Sequence, residues 1–105
     1  LLVKSMGGFY GPPGGSVDHR ESAQCAAERE TWEETGVIAK VGELAAEFDN
    51  GFHLYWCESL SGRTIDISRP LEIQHADWFD PELFQHLKWR YRGQGETIEK
   101  LMVDR

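Results

Sequence analysis

Three glutamates within five residues, Glu30, Glu33 and Glu34, are the part of the chain best equipped to do chemistry. On a helix Glu30 lies three and four positions before the other two, which puts all three carboxylates on one surface. Like charges at that spacing repel by about 0.2–0.5 kcal/mol per pair, so a positive group belongs among them. Arg29 supplies part of it, because it can pair with Glu33 four residues on. A divalent cation supplies more. Carboxylate oxygens are hard ligands that suit Mg²⁺ or Mn²⁺ rather than zinc or copper, and Mg²⁺ is commonly held by a few carboxylates together with substrate phosphates. An acidic run by itself is more often a solvated helix face. The flanks set this one apart.

Gly15 is followed after five residues by Glu21, after seven more by Arg29-Glu30, then by Glu33-Glu34, Gly36 and Val37. Pro12-Pro13-Gly14-Gly15 reads as a turn that is rigid and then free. Ser22 is placed to cap a helix, Glu21 near its start suits the macrodipole, and Gly36 ends it as a C′ glycine. The whole of Gly15–Val37 resembles the Nudix box of the Nudix hydrolases. Thr31 departs from the pattern, standing where the family usually carries an aliphatic residue against the sheet. It is close to Val in shape, but its hydroxyl needs a partner.

The resemblance implies roles. Glu30, Glu33 and Glu34, with the Gly15 carbonyl, are the expected metal ligands, for Mg²⁺ with Mn²⁺ as the alternative. Glu21 is expected to hold the geometry of the box and Arg29 to orient its carboxylates. The general base varies across the family, lying either in the box, where Glu30 and Glu33 are the catalytic candidates, or on a later glutamate six residues before a tryptophan. Glu72 stands six before Trp78 and matches that position.

One hundred and five residues are enough for a single small domain, and 40% hydrophobic residues fit a folded globular chain. The net charge is −7, and −4 of it lies between Gly15 and Val37. The acid is thus concentrated where metal is expected, which argues against a nucleic-acid-binding surface. Cys25 and Cys57 lack metal-ligand spacing and read as buried small apolar residues. There is no secretory signal and no membrane-length apolar run, so no membrane partner and a cytoplasmic location are expected.

Along the chain, Leu1–Lys4 reads as a buried strand end and residues 5–15 as a loop anchored by Phe9 and Tyr10. Residues 22–35 read as the box helix, with Ala23, Ala26 and Ala27 allowing close packing. Lys40–Phe48 and Phe52–Glu58 read as a hairpin closed by Asp49-Asn50-Gly51. In it Phe52, Leu54 and Trp56 share one face and His53, Tyr55 and Cys57 the other. Ser59–Arg69 reads as a polar loop with a short strand at Thr64–Ile67, and Leu71–Phe79 as a further strand. Pro81–His86 reads as a short helix capped by Asp80, and Glu96–Val103 as a last helix after the Gly93-Gln94-Gly95 break. The family resemblance implies an α/β fold, the Nudix α/β/α sandwich around a mixed sheet. It also implies one or two strands ahead of Leu1, so N-terminal strands are expected to be missing, and the open sheet edge favours a homodimer.

The activity implied is hydrolysis of a diphosphate linkage in a nucleoside diphosphate joined to another group. Divalent metal neutralises the anionic oxygens and lowers the pKa of water, and a carboxylate takes the proton. His53 and Tyr55 are candidates for a base pocket, and Arg90, in the run Lys88–Arg92 with Trp89 and Tyr91, for phosphate binding and stacking. Other readings are a catalytically silent nucleotide-binding or regulatory module on the same fold, and a diphosphate isomerase of the isopentenyl type, for which the chain is short. The Trp89-Arg90-Tyr91 ending distantly resembles Nudix domains attached to membrane phosphatases.

Overall fold

A computed structural model describes residues 1–67 and 72–105. The first strand, β1 (Leu2–Ser5), is central to a three-stranded antiparallel sheet. It lies between β2 (Tyr10–Gly11) and the later β5 (Ile73–Asp77), with Val3 opposite both Gly11 and Ala76. Successive strand residues point to opposite faces, and both faces of β1 are covered. Leu2 packs with Phe84 and Ile98, while Val3 packs with Ile73, Ala76, Ile65 and Ile67. That is why Leu1-Leu2-Val3 reads as an unbroken apolar run rather than an alternation.

The helix α1 (Ala23–Thr35) starts where the chain announces it, since Ser22 Oγ accepts from the Cys25 N–H at 3.1 Å. It ends at Gly36, left-handed at φ 75°, whose N–H donates to Trp32 O. The face of α1 toward the interior is polar for a buried surface: Ala26, Thr31, Glu34 and Thr35. The Thr31 hydroxyl finds its partner one turn back, donating to Ala27 O at 2.7 Å, and Thr35 Oγ1 donates to Thr31 O at 2.6 Å. The missing aliphatic residue therefore leaves no orphaned donor. Glu28 Oε1 accepts from the Val41 N–H at 2.9 Å, tying α1 to β3.

β3 (Ala39–Glu47) and β4 (His53–Ser59) form a separate antiparallel hairpin, closed by a left-handed Gly51 and by the Phe52 N–H bonding Asn50 Oδ1. The described ladders are antiparallel, and the parallel component is a bridge between Tyr10 and Trp89. After β5 come a 3-10 helix (Pro81–His86) and α2 (Gln94–Asp104), which pack on each other. Ile98 of α2 reaches the Leu2 face of the sheet, while Ile65 and Ile67 on the Val3 face belong to the segment that backs onto the end of α1. A cavity of about 650 Å³ separates the hairpin from the three-stranded sheet, bounded by Leu2, Thr31, Leu54, Trp56, Phe79 and Ile98.

Several expectations are corrected. Cys25 and Cys57 are exposed, not buried: the buried stripe of α1 runs through Ala26, and Cys57 stands on the wall of this wide cavity. Thr64–Ile67 is not a strand. It is held instead by the Asp66 N–H donating to Thr35 O at 2.8 Å. Asp80 sits at the cap position in extended backbone but makes no side-chain capping bond. Tyr10 anchors its loop edge-on against Phe79, whereas Phe9 is exposed. Gln94 and Gly95, expected in a break, are inside α2. Leu71, the expected start of the last strand, lies outside the described residues. No described helix is long and apolar enough to cross a membrane.

Candidate active site

Arg29 is the centre of the acidic cluster. It binds Glu21 in bidentate fashion, Nε to Oε2 at 2.9 Å and Nη2 to Oε1 at 3.0 Å. Nη1 donates to Glu30 Oε1 at 3.0 Å and to Glu33 Oε2 at 3.1 Å, Asp18 lies 3.3 Å away, and Nη2 also reaches Ser16 O. A planar guanidinium can serve several carboxylates at once because its five N–H groups form a fixed fork. The hydrogen bond from Arg29, with the Asp18 N–H behind it, holds the Glu21 carboxyl below its ordinary range, and the same bond to Glu21 raises Arg29. The expected i,i+4 pair with Glu33 is present, and Glu21 is revealed as the strongest partner.

The Gly14–Gly15 loop is pressed onto the helix face. A Cβ on Gly15 would stand 2.6 Å from Glu30 Cδ and 2.8 and 2.9 Å from its two oxygens, so only glycine leaves room for that carboxylate. One turn on, Glu34 Oε2 accepts from the Gly14 N–H at 3.1 Å. Glu34 is 8% exposed, and burial pushes its carboxyl up to about 7. The Gly14 bond and the Arg90 charge pull it down, while Glu30 and Glu72 push it up. Glu72 and Arg90, distant in sequence, therefore lie within electrostatic reach of the box. Glu72 is exposed, just before β5.

The donor set fits a hard divalent cation. It is all oxygen, it sits on one helix face, and Glu34 is a buried carboxylate whose charge is opposed by burial and by Glu30. Among the described residues no three His, Cys, Asp or Glu side chains are gathered as a ready metal cage. Arg29 donates to Glu30 and Glu33, whereas Glu34 accepts from the Gly14 N–H.

Beside the box, a cavity of about 320 Å³ opens between the start of α1 and the tip of the hairpin, with Gly15, Ala23, Asn50, His53, Tyr55 and Tyr91 on its walls. The His53 and Tyr55 rings are stacked, with centroids 6.5 Å apart and planes at 24°. The expectation that they share a face holds, and the face opens toward the box. Tyr91 reaches the same cavity, but Trp89 does not join it. Trp89 is turned into the core, edge-on to Phe84 at 5.1 Å with its indole N–H on Phe84 O. Arg90 stands apart from that cavity, near Gly11 and Ser5. Sequence reasoning missed Gln94, which is buried. A polar residue between two glycines reads as loop, and nothing local marks it otherwise.

The NUDIX domain family model matches residues 1–101. Among solved structures, the chain is similar to the MutT protein from Methanosarcina mazei Go1 (TM-score 0.70, 21% identity, covering 98% of this chain and 82% of that one). It is similar also to the C. elegans Ap4A hydrolase (TM-score 0.72, 20% identity, covering 98% and 83%). At these identities the likeness shows a shared fold. Among the curated proteins no match is found.

Proposed function

The chain belongs to the NUDIX domain family, and from that premise we propose that it is a divalent-metal-dependent hydrolase that cleaves the diphosphate linkage of a nucleoside diphosphate derivative. The observation that carries this reading is the Glu30–Glu34 face of α1, with the Gly14–Gly15 loop closed onto it and Arg29 binding its neighbours. Glu30, Glu33 and Glu34, with the Gly15 carbonyl, would hold Mg²⁺ or Mn²⁺. Such an ion offsets the charge of the diphosphate oxygens and lowers the pKa of water. Arg29 keeps Glu30 and Glu33 oriented by donating to both, and Glu21 in turn fixes Arg29. Glu72 takes the proton from the attacking water as general base. The cavity beside the box receives the base, stacked on His53 and Tyr55.

Phosphate release from nucleoside triphosphates, nucleotide sugars, ADP-ribose and dinucleoside polyphosphates, with and without Mg²⁺, tests this. Metal-dependent turnover by the wild type, abolished by Glu33→Gln with Glu34→Gln, is the expected result. A folded wild type that binds Mn²⁺ and turns over none of them would overturn it.

A further inference from the structure

Gln94 opens α2 and is 2% exposed, yet among the described residues its Oε1 has no hydrogen-bond partner. An unpaired acceptor at that depth is unusual and calls for a donor. Its surroundings name one. A Cβ on Gly11 would stand 3.5 Å from Gln94 Oε1 and 3.7 Å from both Cζ and Nε of Arg90, so the two side chains flank the same glycine.

Arg90 is fixed at its backbone and loose at its tip. Its N–H donates to Tyr10 O at 2.9 Å, and the Tyr10 N–H donates to Lys88 O at 2.7 Å, which clamps the segment to β2. Among the described residues its guanidinium makes one side-chain hydrogen bond, Nη2 to Ser5 Oγ at 3.3 Å, in an exposed position. The contrast with Arg29 is informative. Arg29 is neutralised by carboxylates, whereas Gln94 is a neutral acceptor that can orient a guanidinium without cancelling its charge. The Arg90 charge is felt at Glu34, so the guanidinium lies within electrostatic reach of the box.

We propose that Arg90 and Gln94 form a receptor for a phosphoryl group of the substrate beside the box, with Gln94 Oε1 accepting from the guanidinium and fixing its fork toward the phosphate oxygens. Gln94 is thus a positioning residue that acts through Arg90. The assignment of the anion to a diphosphate substrate rests on the function proposed above.

Calorimetric titration with methylenediphosphonate and Mg²⁺ tests the receptor without requiring turnover, with thermal melts to monitor folding. Arg90→Ala is expected to weaken binding about tenfold or more, and Arg90→Lys by less, since the charge stays and the fork is lost. Gln94→Met, which keeps the volume and removes the acceptor, is expected to weaken it about threefold to tenfold, and Gln94→Glu, which pairs with Arg90 and cancels its charge, not to restore it. The discriminating result is the double variant. Gln94→Met should add nothing in an Arg90→Ala background, because a residue acting through Arg90 has no effect once Arg90 is gone. Wild-type affinity in Arg90→Ala, an equal loss from Gln94→Met in both backgrounds, or a wild type that does not bind the probe would overturn the proposal. If Gln94→Met fails to fold, the two Arg90 variants still decide. A wild type that binds the probe through Arg90 but hydrolyses no diphosphate would sink the hydrolase reading and leave the receptor standing. Turnover with an unchanged Arg90→Ala affinity would do the reverse.

Discussion

At the residue scale the box is a contest between charge repulsion and its relief, and Glu34 shows how the balance is set. Burial is the largest influence on its carboxyl, raising it to about 7 from an ordinary 4.5. A carboxyl raised on folding holds its proton longer in the folded state than in the unfolded one. Stability is therefore unaffected below the unfolded value, falls as pH rises between the two, and is fully diminished above the folded value. The metal-free protein should lose on the order of 1–3 kcal/mol between about pH 4.5 and about pH 7. Melting temperature followed against pH should show that decline, Glu34→Gln should flatten it, and Mn²⁺ should offset it at the alkaline end. Gly15 gives a second test. A methyl group there collides with the Glu30 carboxylate, so Gly15→Ala should weaken Mn²⁺ binding, read by titration, and cost on the order of 1–3 kcal/mol in denaturant unfolding.

At the element scale α1 is specified mainly by its ends. Ser22 and Gly36 were legible because capping is local chemistry: a hydroxyl meets an early N–H, and a left-handed residue closes the last turn. The tertiary role of Gly36 was not legible. A Cβ there would lie 2.9 Å from Asp66 O as well as requiring a positive φ, because the 64–67 segment is bonded to the helix end. Gly36→Ala should therefore cost more than the ~1 kcal/mol of conformational strain alone, measured by chemical denaturation. The same segment explains why the strand expected at Thr64–Ile67 is absent. Its alternating residues supply Ile65 and Ile67 to the core, but its backbone hydrogen-bonds a helix terminus rather than a strand.

At the scale of the whole molecule the proposed site draws on five separated segments: the Pro13–Val17 loop, α1, the tip of the β3–β4 hairpin, Glu72 just before β5, and the stretch leading into α2. The metal and base contacts proposed above fall on different elements, so they should be separable. Tyr55→Ala removes a wall of the cavity and one ring of the His53 stack. It should raise KM for a nucleotide substrate about tenfold, in line with one lost aromatic contact, while Mn²⁺ affinity stays at the wild-type value. A parallel fall in metal affinity would show the two functions to be coupled.

By itself the sequence determined the box, the helix that carries it and the hairpin that follows. Each rests on a period or a cap acting across a few residues: the three- and four-residue spacing of the glutamates, Ser22 and Gly36 as helix ends, and the alternation from Phe52 to Cys57. Only the tertiary structure decided which carboxylate is buried, that Glu21 is the main partner of Arg29, and that Cys25, Cys57 and Trp89 face opposite to expectation. It alone brought Glu72 and Arg90 within electrostatic reach of Glu34 and set Gln94 beside the same glycine as Arg90. Burial and electrostatic reach depend on which segments pack together, and residues as far apart in sequence as Glu34 and Arg90 carry no local pattern that encodes their meeting.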